Sequence, residues 1–263
     1  MDFDTGVSWR CVEAFAVGMS HRANDAPCQD RCASAVVPSR DGADVLVTIV
    51  SDGAGSAAHS EAGAQLVCET LVALASQAVS ESSDLDMIAD ELVRSWFLTA
   101  REALRGLART AQAQIREFAA TALLAVASDH QTLCARIGDG GIVVRRRPEA
   151  AFEVALWPDS GEYANQTYFV TDDMAAERIA IVRFDDVWDV VAFSDGLQNL
   201  ALEQATRSAY PPFFLPLVAA VRGARDSNGR LHAQLAEFLD SPTVNERTDD
   251  DKSLVVGCRV VSA

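Results

Sequence analysis

Three apolar runs in this sequence end on the same two residues. Val50-Ser51-Asp52-Gly53, Ile137-Gly138-Asp139-Gly140 and Phe193-Ser194-Asp195-Gly196 each place an aspartate and a glycine after an apolar stretch. A fourth acidic group, Asp249-Asp250-Asp251, stands immediately before Leu254-Val255-Val256, and Asp30 follows Gln29 near the N-terminus. One Asp-Gly is ordinary turn chemistry, since the carboxylate bonds nearby backbone and glycine accepts a positive φ. Four such sites ask for more. Aspartates gathered at one sheet edge repel one another unless cations neutralise them or some hold protons. Hard oxygen donors select Mg²⁺ or Mn²⁺, and a glycine after the aspartate lets the backbone carbonyl face the same ion. Two such ions about 3.5–4 Å apart can hold a bridging hydroxide and stabilise in-line attack on a phosphate ester.

The elements that must position these groups can be read from periodicity. Val45 to Val50 is one buried strand, closed by the break at Ser51-Asp52-Gly53. A helix is predicted from Ser60 to Ser80, with Val67, Leu71, Leu74 and Ala78 on one face. A longer helix is predicted from Leu85 to Phe118, capped by Asp84 or Asp86. Short strands follow at Thr121–Ala127, Thr132–Ile137, Ile142–Arg147, Phe152–Trp157, Thr167–Val170, Arg178–Arg183 and Trp188–Phe193. Their close spacing favours antiparallel meanders over βαβ units. Pro211-Pro212 opens a helical stretch, split at Gly223 to Gly229 and ending near Asp240, and Leu254 to Val261 is the last strand. No repeat, linker or low-complexity tract interrupts the chain, so one domain over residues 1–263 is expected, of α+β class.

Composition narrows the partners. The chain has 263 residues, 49% apolar and 23% charged, an ordinary globular balance. Lys+Arg 22 against Asp+Glu 38 gives a net charge of −16. Phosphate-rich surfaces would be repelled, so neither nucleic acid nor an anionic membrane is an expected partner. No run reaches the roughly 18 uncharged apolar residues of a membrane span, and Met1 to Arg10 does not read as a signal peptide. Six scattered cysteines then read as reduced thiols in a cytoplasmic protein. Cys28 and Cys32 have no second pair with which to complete a zinc site.

Taken in order, these motifs resemble the metal-dependent protein serine/threonine phosphatases of type 2C, the PPM family. The resemblance runs from Ser20 to Val256. It is nearest to a bacterial branch marked by Ser-His-Arg (Ser20 to Arg22), then Cys-Gln-Asp (Cys28 to Asp30), then Gly161-Glu-Tyr-Ala-Asn-Gln-Thr167. It implies a four-layer α/β/β/α sandwich, two antiparallel sheets flanked by helices, and two Mn²⁺ or Mg²⁺ ions. By this resemblance Asp52 bridges the two metals, Gly53 offers its carbonyl to one, and Asp195 and Asp250 are ligands. Asp251 replaces the family's asparagine. Asp139 would hold a third ion, Arg22 would grip the substrate phosphate, and Asp30 would hold the attacking water. Catalysis would rest on Asp52, Asp195 and Asp250, through a metal-activated water and without a phosphoenzyme.

The chain departs from the family in three further places. Gln29 stands where a glutamate is usual, so the second metal would bind with one charge fewer. Extra residues, Ala23 to Cys28, separate Arg22 from Gln29. Ala54 follows the bridging Asp-Gly where some members carry a proposed histidine acid, leaving His59 or His21 as other proton donors. The expected function is hydrolysis of phosphoserine and phosphothreonine on protein by a cytoplasmic, signalling monomer, opposite a cognate serine/threonine kinase. The competing reading, kept alive by Gln29, is a weak or inactive phosphatase-like domain that binds a phosphoprotein as a regulator.

Other signals carry bland readings. Asp2-Phe-Asp-Thr5 mimics a haloacid-type motif but lacks a strand before it, and Gly53-x-Gly55-x-x-Ala58 lacks the second strand of a dinucleotide site. Arg145-Arg146-Arg147 is read as a solvated strand edge. Pro211 to Leu217 is read as core or lid packing, and Trp157 to Thr171 as a flap over the site.

Overall fold

The computed structural model describes residues 7–158, 167–224 and 229–261. Among them the strands are β1 (Val7–Ala16), β2 (Arg31–Pro38), β3 (Asp44–Ser51), β4 (Ala122–Ala127), β5 (Gln131–Ile137), β6 (Gly141–Arg145), β7 (Glu153–Leu156), β8 (Ala180–Asp185), β9 (Asp189–Phe193), β10 (Leu202–Glu203), β11 (Ser208–Ala209) and β12 (Lys252–Val261). The helices are α1 (Met19–Ala23), α2 (Ser60–Glu81), α3 (Asp90–Ala111), α4 (Ala175–Arg178), α5 (Gln198–Ala201), α6 (Pro211–Gly223), α7 (Arg230–Leu239) and α8 (Pro242–Asn245). One five-stranded sheet runs β1-β12-β9-β6-β7 and the other β2-β3-β4-β5-β8, each antiparallel throughout.

Alternation along the central strands builds four layers. In β3, Val45, Val47 and Ile49 face α2 and α3, while Leu46 and Val50 face the other sheet. In β9 and β12, Val190, Ala192 and Val255 point into that same inter-sheet core. Val191, Phe193, Leu254 and Val256 point the other way, against α6 and α7. Both faces of these strands are therefore apolar, and the order is helices, sheet, sheet, helices, as expected. The sheets come close at Gly257 of β12, where a Cβ would lie 2.2 Å from Leu46 Cδ2.

By length and composition α2 could cross a membrane. Here Gly63, Ala64, Val67, Cys68, Leu71, Ala75 and Val79 are buried in the core it shares with α3 and the sheet.

Four expectations need correction. The helix from Leu85 to Phe118 is broken: Asp84 caps a single 3₁₀ turn at Leu85–Met87, and α3 begins at Asp90. At its far end Gln112 takes a left-handed conformation and a second 3₁₀ turn covers Ile115–Phe118. Thr167 to Val170 forms no strand, and its Val170 amide bonds to Ala120 instead. The stretch from Arg178 divides between α4 and β8. Arg145 is buried, because β6 lies inside its sheet. It binds Asp189 at 2.6 Å and stacks on Phe152, and Arg222 holds the second Asp189 oxygen.

Pro211 to Leu217 opens α6 as expected, burying Phe213 and Phe214. A cavity of about 630 Å³ lies between α6, α7 and α8. The six cysteines are unpaired.

Candidate metal centre

The loops leaving β3, β5 and β9 meet the loop entering β12 at one end of the two sheets. The carboxylates of Asp52, Asp139 and Asp195 each offer an oxygen within 4.8 Å of the others. With Gln29, Gly53, Asp250, Asp251, His21, Thr167 and Phe169 they line a cleft of about 180 Å³. Asp52 and Asp139 come from the sheet of β3 and β5, and Asp195, Asp250 and Asp251 from the sheet of β9 and β12. No Arg or Lys lines the cleft among the described residues.

Local hydrogen bonds fix each loop. The Asp52 amide donates to Thr121 Oγ1 at 3.0 Å, and the Thr121 amide donates to the Asp52 carbonyl at 2.8 Å. Gly53 must be small, since a Cβ would sit 2.8 Å from both the Gln29 carbonyl and Ser60. Gly138, at φ +110°, turns the chain into Asp139, whose side chain accepts the Thr167 hydroxyl. Gln198 donates to the Asp139 carbonyl at 2.5 Å. Ser194 clamps β9 to β12, accepting the Ser253 amide at 2.9 Å on its hydroxyl.

The electrostatics match what massed carboxylates must show without cations. Burial raises the pKa of Asp195 to about 7, reinforced by Asp139, Asp250 and Asp30. Burial likewise raises Asp30 to about 6, and holds Asp52 well above the ordinary carboxylate range with Asp30, Asp195 and Asp139 adding to it. Asp250 is raised too, chiefly by burial. Protons thus occupy part of a site that divalent cations would neutralise better. The donor set fits such cations: every candidate ligand is oxygen. Gln29 Oε1 is buried without a hydrogen-bond partner, and neither Asp30 carboxylate oxygen accepts a bond of ordinary geometry. Buried acceptors left open are costly unless something fills them.

Seven of the eight residues expected at the site therefore converge: Asp52, Gly53, Asp139, Asp195, Asp250 and Gln29 line the cleft, with Asp30 buried behind Asp52. Arg22 does not line it. Its guanidinium lies 2.8 Å from Asp240 at the end of α7, both side chains being over a third exposed. His59 is exposed and stacks on Phe118 outside the cleft, whereas His21 is on its rim. Most of the Gly161 to Thr167 motif and part of the flap from Trp157 to Thr171 fall outside the described residues; Thr167 is described and reaches Asp139.

Two supporting residues, Arg31 and Thr121, escaped sequence reading, and Asp251 was read only as the replacement for the family's asparagine. Asp251 accepts the amides of Gly18 at 2.6 Å and Gln29 at 2.5 Å. Arg31 donates to the Cys28 and Asp30 carbonyls, pairs with Glu61 and stacks on Phe15, which holds the Gln29-Asp30 turn in place. Thr121 anchors Asp52. Arg31 adjoins Asp30 in the sequence, a signal that could have found it, whereas Thr121 stands next to no aspartate and only the fold brings it to Asp52.

The geometry has parallels among known proteins. The family described as protein phosphatase 2C matches residues 17–240. "Serine/threonine-protein phosphatase 3" of Escherichia coli (strain K12) is 38% identical over 252 residues, covering 95% of this chain and 98% of that one. The solved structure titled "PppA, a key regulatory component of T6SS in Pseudomonas aeruginosa" aligns with a TM-score of 0.62 at 16% identity, covering 96% of this chain and 98% of its own. Serine/threonine phosphatase Stp1 from Staphylococcus aureus aligns with a TM-score of 0.56 at 16% identity, covering 94% of each chain. At such identities these structures establish the shared fold.

Proposed function

This chain belongs to the protein phosphatase 2C family, and we propose that its acidic cleft hydrolyses phosphoserine and phosphothreonine esters on protein with the help of divalent cations. The observation that carries the reading is the approach of Asp52, Asp139 and Asp195 to within 4.8 Å, beside the open Gln29 acceptor. Asp52, Asp195, Asp250, Gln29 Oε1 and the Gly53 carbonyl would hold two Mn²⁺ or Mg²⁺ ions, with Asp139 serving a third. When bound, such ions supply Lewis acidity and a water of lowered pKa.

The chain's own groups do the rest. Asp30, buried behind the ligands, accepts a hydrogen bond from the attacking water and aims it at phosphorus. Thr121, Gln198 and Ser194 hold the ligand loops at fixed separation, which is the larger part of catalysis by positioning. Arg22 would reach the phosphate by giving up Asp240. An ion pair this exposed holds by no more than about 1 kcal/mol, so the exchange is cheap. Residues 1–263 act as one catalytic unit, since the cleft draws on both sheets, and work as a cytoplasmic monomer opposite a serine/threonine kinase.

The test is phosphate release from a phosphothreonine peptide against Mn²⁺ concentration. Activity should vanish in EDTA and return with Mn²⁺, and Asp52→Asn or Asp195→Asn should lower kcat on the order of 100-fold or more with the fold intact. Wild-type rates in those variants would reject the site. The neutral Gln29 favours one rival, a phosphoprotein-binding regulator. It predicts peptide binding with no phosphate released at any metal concentration.

A further inference from the structure

We propose that His21 is the general acid of this reaction, donating the proton that the seryl or threonyl oxygen takes up as its bond to phosphorus breaks. The inference rests on the phosphatase reading above. Short helix α1 carries His21 onto the rim of the same cleft as Asp52, Asp195 and Asp250. Its Nδ1 lies 2.9 Å from Asp251 Oδ2. That carboxylate is buried and already accepts the amides of Gly18 and Gln29. A carboxylate that accepts two amides is an acceptor for the ring as well, so Nδ1 carries a proton and donates it to this bond. The tautomer and the plane of the ring are thereby set, and Nε2 makes no hydrogen bond among the described residues. A histidine oriented by a buried carboxylate, with its other nitrogen open to a cleft, is built to pass a proton.

The need for such a group is specific. Serine and threonine alkoxides are poor leaving groups. The loop after the bridging aspartate offers Ala54 and Gly55, which have no side-chain proton to give, and His59 lies outside the cleft. In the step, the water oxygen forms the new bond to phosphorus and a water proton passes to solvent. The bond from phosphorus to the seryl oxygen breaks with its electron pair on oxygen. The Nε2 proton of the imidazolium completes the alcohol, and solvent reprotonates the ring.

The discriminating measurement compares leaving groups with manganese present. His21→Ala and His21→Gln should slow a phosphothreonine peptide by about 100-fold. They should slow p-nitrophenyl phosphate, whose phenolate leaves unaided, by no more than about threefold, since general acid catalysis matters only to a basic leaving group. Added imidazole should restore part of the peptide rate in His21→Ala. Independently of activity, ¹⁵N NMR of the metal-free protein at pH 9 should show the neutral ring protonated at Nδ1. Equal losses on both esters, no loss on the peptide, or an Nε2-protonated ring would overturn the proposal. A wild-type protein inert on both esters at every manganese concentration would instead reject the phosphatase reading, which the NMR result leaves untouched.

Discussion

The carboxylate of Asp251 accepts the backbone amide of Gln29 at 2.5 Å, joining residues 222 apart in the chain. Its other oxygen holds Gly18 at 2.6 Å. One side chain thus ties the entry to β12 to the segments before and after α1, and so to both flanks of the acidic cleft. Asp251→Ala would leave two backbone donors open at once, each worth about 1–3 kcal/mol when buried. A loss on the order of 3 kcal/mol in urea denaturation is expected, together with weakened manganese binding. A variant with wild-type stability and affinity would show that the bonds are replaceable.

The aspartate cluster makes metal-free stability depend on pH in an unusual direction. An unfolded aspartate titrates near 3.9, whereas Asp30 is raised to about 6 and Asp195 to about 7 in the fold. The folded state holds these protons more tightly, so their contribution is full below about pH 4 and is lost as pH rises through 6 and 7. Asn at position 195 carries no such penalty. In EDTA, Asp195→Asn should therefore gain at least about 1 kcal/mol on the wild type between pH 4.5 and pH 8. An offset equal at both pH values would refute the linkage, and manganese at pH 8 should reverse the order.

In the proposed metal site, Gln29 would set the charge of one ligand position. Gln29→Glu keeps the shape and adds a carboxylate beside the cation site. Half-maximal activation should occur at about tenfold less manganese, a gain of about 1.4 kcal/mol. In EDTA the same variant should be less stable than the wild type at pH 8, because one more carboxylate enters an uncompensated cluster. Unchanged activation by manganese would place Gln29 outside the coordination sphere.

A second ionic assembly lies away from the cleft. Asp189 is buried between Arg145 and Arg222 at the start of β9. Removing it strands two guanidinium groups, so Asp189→Ala should cost about 3–5 kcal/mol, read as a lower Tm by calorimetry. Asp189→Ala together with Arg145→Leu and Arg222→Leu should recover much of that loss.

The candidate site was legible in the sequence because Asp52, Asp139 and Asp195 sit at strand ends, where an apolar run stopping at Asp-Gly is visible in one dimension, while Gln29 and Asp30 were found by motif. The apolar runs of β3, β4, β9 and β12 marked buried strands of an α+β fold, while the four-layer order came from the family resemblance. The first two strands carried no such mark. In β1, Ser8, Arg10 and Glu13 dilute the apolar run, and β2 is an edge strand of partly exposed small residues. Leu85 and Ile88 extend the apolar spacing of α3 while belonging to a separate 3₁₀ turn, so the break was invisible to periodicity. The arginine triplet misled because charge was read as exposure, when Arg145 is buried against Asp189 from the neighbouring strand. Arg22 was placed by motif, and motif cannot foresee the competing attraction of Asp240, which is over two hundred residues away.

The close approach of the sheets at Gly257 and Leu46 has a bearing on how such a protein can drift. Asp52 and Asp139 ride on one sheet, Asp195 and Asp250 on the other, so the inter-sheet core is the gauge of the cleft. Leu46, Val144 and Val255 never meet a substrate, yet they set how far apart the two pairs of oxygens stand. Substitutions there would register first as a changed appetite for ions of different radius, well before the chain failed to fold.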